Sequence, residues 1–185
     1  MRVFAYATLV VAALGAATIT APAPAQAADK PQHCVVDVST VSQKMSCYDS
    51  FTTAIAKATK GRVTDAPADV RTAMRSPKLA AQLNDTSFAP AAGFVLSTEW
   101  DGSGFSSDSI SFTGSTGCDN SMDVDFEVAY VGDRWNDDIS SYLAFSNCLV
   151  KHWEHRDFAG LSTGFDAGQS DMGIMDDETS SIQWA

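Results

Sequence analysis

Apolar and polar residues change their rhythm near residue 85. Before it, Val36 and Val38 alternate with polar neighbours after Cys34, the chain turns through residues 39–43, and Met45, Cys47 and Tyr48 bring it back, which predicts a hairpin. Phe51, Ala54, Ile55 and Ala58 then recur at helical spacing, behind Asp49 or Ser50 as a cap and ahead of Gly61 as a stop. Pro67 and Pro77 stand where a first helical turn tolerates proline, so two further short helices are expected over about 67–75 and 77–84. From Asp85 to Gly93 Ser, Ala and Pro follow without periodicity and read as a linker. Short strands broken by Gly, Ser, Asp and Asn come next, the pattern of an antiparallel β domain.

The start of the chain modifies this picture. Arg2, an apolar run from Val3 to Ala17 and a tail ending Ala25-Gln26-Ala27 read as a secretory signal peptide over residues 1–27. The run is shorter than the roughly 20 residues that span a bilayer, and no later segment is apolar enough to serve, so a secreted, extracellular protein is expected. Removing residues 1–27 leaves 158 residues and moves the formal net charge from -11 to -12. With no Lys/Arg run, that charge argues against nucleic acid and anionic membrane as partners. Four cysteines in an exported chain favour two disulfides. Three pairings are open, and the two-and-two partition between modules favours Cys34 with Cys47 and Cys118 with Cys148.

An acidic-hydroxyl motif occurs twice, as Asn136-Asp137-Asp138-Ile139-Ser140-Ser141 and as Asp176-Asp177-Glu178-Thr179-Ser180-Ser181. Carboxylates, hydroxyls and turn carbonyls are the hard oxygen ligands of Ca²⁺, whereas Zn²⁺ prefers nitrogen and sulfur. Crowding Asp133, Asp137 and Asp138 in one turn, and Asp171, Asp176, Asp177 and Glu178 in another, costs stability unless a cation offsets it. Upstream of the second motif stands Trp153-x4-Phe158-x-Gly160, and upstream of the first Val95-x4-Trp100-x-Gly102, with Val95 in place of the leading aromatic. The first copy carries an insertion around Cys118.

These residues resemble the Greek-key motifs of the βγ-crystallin family in its secreted microbial form. The resemblance covers residues 93–185 and implies a mainly β fold. Two Greek-key motifs would form a βγ-crystallin-like sandwich, preceded by a small α+β hairpin-helix module over 28–84 and a linker at 85–92. It implies hairpins folded over the sheet and pinned by Ser141 and Ser181. It further implies two Ca²⁺ ions held between the loops. Backbone carbonyls of Asp138 and Glu178 would serve one site each, and Asp137 with Ser140 and Asp177 with Ser180 would supply carboxylate and hydroxyl. Asn136 and Asp176 complete the metal set. The same residues also fit capped turns with no ion.

Other chemistry is weaker. His152 and His155 lie three apart on a strand and face opposite sides, so they do not converge on zinc, and His152 points to the core. His33 reads as isolated. No G-x-S-x-G elbow is present, and the close carboxylates suit a cation better than a raised-pKa acid, so no enzyme is expected. Trp100, Trp135, Trp153 and Trp184 read as packing residues rather than a sugar platform. The reading is a monomeric, secreted calcium-binding protein. The alternatives are an inhibitor of a secreted protease, metalloproteinases included, acting through a braced loop such as Gly114 to Asn120, or a protein resembling crystallin-like killer toxins.

Overall fold

The computed structural model describes residues 32–88 and 93–185. The expected signal peptide, and the linker over 89–92, lie outside the described residues. The elements are β1 (His33–Asp37), β2 (Ser46–Tyr48), α1 (Phe51–Ala58), α2 (Val70–Met74), α3 (Pro77–Leu83), β3 (Phe94–Gly102), β4 (Ser106–Gly114), β5 (Phe126–Val128), β6 (Ser141–Ala144), β7 (Val150–His155), β8 (Ala159–Ser162), β9 (Gly168–Gln169) and β10 (Ser181–Trp184).

One sheet runs β2-β1-β4-β3-β6-β9 and the other β5-β10-β7-β8. The order carries an exchange. The first repeat, β3 to β6, sends its third strand β5 to pair with β10, and the second, β7 to β10, sends its third strand β9 to pair with β6. Each repeat is therefore a Greek key completed by the other, and the fold is mainly β with a small helical module ahead of it. Between the sheets, Leu96, Ile110, Phe112, Trp135, Tyr142, Val150, Ile182 and Trp184 form a buried core.

Local chemistry explains the helices. Ser50 accepts from the Thr53 N–H, 3.2 Å away, and Gly61 with φ +86° follows the helix end, so α1 stands where its capping residues place it. Ser76 caps α3, with Pro77 in the first turn. Pro67 does not open α2. Asp69 does, accepting from Thr72 N–H at 2.8 Å, which shortens that helix to five residues.

Residues 33–83 are joined to the β domain more closely than the pattern suggested. Across the linker, β1 pairs in parallel with β4 from His33↔Ser109 to Asp37↔Thr113. Cys34, Val36 and Val38 face the core between the sheets, while Val35 packs on the opposite side with the helices. Phe51, Ile55, Leu79 and Leu83 share that second core with Val95, Trp100 and Phe145. The result is three layers, helices on sheet on sheet. His33 is likewise not isolated: it is buried, its Nδ1 lies 2.9 Å from Ser109 Oγ, and its ring meets Phe51 edge-on at 5.5 Å. Burial lowers its pKa, against a smaller opposing pull from Asp108. The cysteines pair as expected, Cys34 with Cys47 across the β1–β2 hairpin and Cys118 with Cys148 in the β domain.

Candidate metal centre

Each repeat folds a hairpin turn back over its sheet, and a serine holds it. Ser181 Oγ donates to the His155 carbonyl at 2.6 Å and accepts from Phe158 N–H at 3.1 Å. Ser141 Oγ donates to the Gly102 carbonyl at 2.7 Å and accepts from Phe105 N–H at 3.1 Å. These pins set the true register of the repeat. Gly102 matches His155, and Phe105 matches Phe158, each with positive φ (58° and 61°). Trp100, opposite Ser141 in the ladder, matches Trp153, opposite Ser181. The first copy is therefore Trp100-x4-Phe105-x-Ser107, and the expected Val95/Trp100/Gly102 assignment is displaced by five residues. Ser107 at φ +72° stands where Gly160 stands at φ +80°, so a search for glycine at that position passes over the correct copy.

The pinned hairpins bring the two acidic loops face to face. Asp137 N–H donates to the Thr179 carbonyl at 3.1 Å, and Asp177 N–H to the Ile139 carbonyl at 3.2 Å. Asp137 (φ 57°) and Asp177 (φ 55°) share the same left-handed backbone. Ile139 and Thr179 are fully buried beneath the loops, while Asp137, Asp176, Asp177 and Glu178 are exposed.

The side-chain oxygens meet across the repeats. Ser140 Oγ donates to Asp177 Oδ1 at 3.1 Å, and Ser180 Oγ to Asn136 Oδ1 at 2.9 Å. The hydroxyls do not pair with the carboxylates of their own loops, Asp137 and Asp177 respectively. Asp137 Oδ2 instead accepts from Asn136 Nδ2 at 2.6 Å. Asp138 turns its carboxylate away to Arg134, which leaves its backbone carbonyl as its available ligand. Asp176 and Glu178 complete the second loop. Among the described residues no group of three or more His, Cys, Asp or Glu converges on one point. The donors at the centre are of a different kind, one carboxylate or carboxamide oxygen against one hydroxyl in each pair, and they are hard oxygens that fit Ca²⁺ chemistry.

Behind the loops a polar chain links the sheets. Trp184 Nε1 donates to Ser97 Oγ at 2.9 Å, Ser97 to Glu99 Oε1 at 2.5 Å, and Glu99 Oε2 lies 3.2 Å from His152 Nε2. Glu99 and His152 are fully buried, and the Tyr142 ring packs on the imidazole at a 50° tilt, the ring centres 4.2 Å apart. Burial raises the Tyr142 pKa, with Asp166 and Glu99 adding to it. His152 Nδ1 has no partner among the described residues, so an N–H there would be unpaired and the ring proton belongs on Nε2. His155 is exposed, as its opposite facing requires. Of the tryptophans, Trp100, Trp135 and Trp184 are fully buried, while Trp153 lies half-buried on the outer face under Lys151 Nζ at 4.0 Å.

Two sheets that exchange third strands, with a serine-pinned hairpin in each repeat, give the chain a βγ-crystallin-like fold. No family model and no curated protein matches the chain. Among solved structures it is similar to a βγ-crystallin domain of Abundant Perithecial Protein from Neurospora crassa, described in its Ca²⁺-bound form. That match is 16% identical, covers 55% of this chain and 94% of that one, and has a TM-score of 0.39. A βγ-crystallin domain from Flavobacterium johnsoniae is 20% identical over 49% of this chain and 93% of its own, with a TM-score of 0.36. One from Clostridium beijerinckii is 15% identical over 48% and 95%, with a TM-score of 0.32. Scores of this size add nothing about ligands, and the description rests on the chain's own strand order and serine pins.

Proposed function

We propose that this is an exported calcium-binding protein whose two acidic loops hold two Ca²⁺ ions between the repeats. The observation that carries the reading is the crosswise approach of Ser140 to Asp177 and of Ser180 to Asn136. Each approach offers a hydroxyl and a second hard oxygen from opposite repeats, and the carbonyls of Asp138 and Glu178 and the carboxylate of Asp137 extend the ligand set. Asp176 adds charge to the second loop. One pair contains a carboxylate and the other a carboxamide, so the Ser140–Asp177 side binds more tightly. Export follows from the signal-peptide pattern over residues 1–27.

A ligand that binds only the folded state stabilises it by RT ln(1 + [L]/Kd), about 2.7 kcal/mol at a hundredfold excess over Kd. Titration calorimetry and melting with calcium and with chelator test this. Two binding events and a raised Tm are expected, with Asp137→Ala and Asp177→Ala each weakening binding while the sheets stay folded. An absence of heat, together with a melting temperature indifferent to chelation, would leave the loops as structural turns.

A second reading has separate support. Running on from the Gly114 to Asn120 loop, residues 119–124 are largely exposed, with Met122 at 65% and Val124 at 44%, beside the Cys118–Cys148 bridge. Asp119 N–H donates to Asp125 Oδ2 at 3.1 Å and Ser121 N–H to Asp119 Oδ1 at 2.8 Å, which preorganises the loop as an inhibitor of a secreted protease requires. Assays against secreted metallo- and serine proteases with wild type and Met122→Asp distinguish this role, since calcium binding would survive that substitution.

A further inference from the structure

The two acidic loops are not held equally. Arg134, just ahead of the first loop, bridges three carboxylates. Its Nη2 lies 2.6 Å from Asp108 Oδ2 on β4 and 3.6 Å from Asp101 Oδ2 on β3, and its Nη1 bonds Asp138 Oδ2 within the loop. The guanidinium also stands 4.8 Å from the ring centre of Trp135, which is fully buried. The two anchors are firm. Asp101 Oδ1 accepts from Asp108 N–H at 2.9 Å, and both carboxylates are less than a fifth exposed. Burial pushes the Asp101 carboxyl above its usual range, and the neighbouring Asp108 pushes it further.

The second loop has no such brace. Trp135 and Met175 are the buried residues directly ahead of the two motifs, so Ile174 occupies the place of Arg134, and it is 83% exposed. Among the described residues no cation lies within ion-pair distance of Asp176, Asp177 or Glu178. Their mutual repulsion has no local offset.

We propose that Arg134 is a built-in cation that holds the first loop in shape without metal, leaving the second loop as the part that calcium orders. The inference rests on the calcium reading above. A planar guanidinium forks to several carboxylates at once, and an order that exists before binding need not be created by it. Half of the Arg134 side chain faces solvent, so the clamp acts through its several partners together rather than through one strong pair. The protein then responds asymmetrically, with one constitutive loop and one conditional loop.

Amide hydrogen exchange on the full exported chain, in chelator and in calcium, tests this. In wild type, calcium should slow exchange over 175–179 by about tenfold or more, and leave 135–139 within about twofold. Arg134→Gln should speed exchange over 135–139 in chelator by about tenfold, make that segment calcium-responsive, and leave 175–179 in chelator unchanged. Arg134→Lys, a point charge that cannot fork, should fall between. Asp108→Asn removes one anchor with the arginine intact and should shift 135–139 in the same direction by less. Equal calcium protection of both loops in wild type, or no change over 135–139 in either the glutamine or the asparagine variant, overturns the inference. If calcium alters neither wild-type loop, the calcium reading fails, and the variants in chelator still decide whether Arg134 holds the first loop.

Discussion

Ser107 and Gly160 occupy one position in two repeats and carry opposite consequences for substitution. A Cβ built on Gly160 would lie 2.8 Å from Glu154 Oε2 and 3.0 Å from both Glu154 Cβ and His155 Cδ2, at φ +80°. Gly160→Ala should therefore cost about 1–3 kcal/mol in urea unfolding, from left-handed strain and crowding together. Ser107→Gly relieves strain of the same kind at φ +72°, but it also removes the hydroxyl whose influence works against the upward shift of the Asp101 carboxyl. The two effects oppose, and a net change under about 1 kcal/mol is expected. An alanine at 160 that left stability untouched would mean the turn relaxes away from the serine pin. At this scale the acidic-hydroxyl motif and its pinning serines were legible in the sequence, because their roles depend on residue types at fixed spacing. The first hairpin was not, because a serine held in a glycine conformation has no sequence signature.

Among the elements, β3 and β7 stand at matching places in the two repeats, and their matching residues Glu99 and His152 meet between the sheets. The residue after each, Trp100 or Trp153, accepts through its carbonyl the N–H of Ser140 or Ser180 at 2.8 Å, so the pair lies directly behind both loops. Removing one partner of a fully buried pair leaves the other's polar group uncompensated, at a cost of about 3–5 kcal/mol. Glu99→Leu and His152→Leu should each fall in that range, while the double variant should cost clearly less than the sum of the two. A double-mutant cycle in urea checks this, and additive losses would show that the two side chains act separately. The β1–β2 hairpin and the α1 cap were readable from alternation and capping residues, since both are local. The parallel pairing of β1 with β4 was not, because alternation names a strand without naming its neighbour. The unbroken apolar run Cys34-Val35-Val36 was the available clue, as it marks a strand covered on both faces.

For the molecule as a whole, the composition break near residue 85 marks a change of element type, and packing runs across it. Two proposals about a fragment beginning at residue 88 therefore compete: that the β domain stands alone, or that it needs the layer ahead of it. The fragment would keep the Cys118–Cys148 bridge and both acidic loops, but it would lose the strand beside β4 and uncover Val95, Trp100 and Phe145. Each large apolar side chain returned to water costs about 1.5–3 kcal/mol, so three of them approach the whole stability of an ordinary domain, about 5–15 kcal/mol. Calcium at a hundredfold excess over Kd returns only about 2.7 kcal/mol per site. The expected outcome is a fragment with a broad, weakly cooperative melt and exposed apolar surface, improved but not restored by calcium. Near-ultraviolet circular dichroism with a thermal scan, compared with a chain of residues 28–185, measures it. A sharp melt matching that of residues 28–185 would show that residues 93–185 suffice, and that the helices cover a core which can close without them.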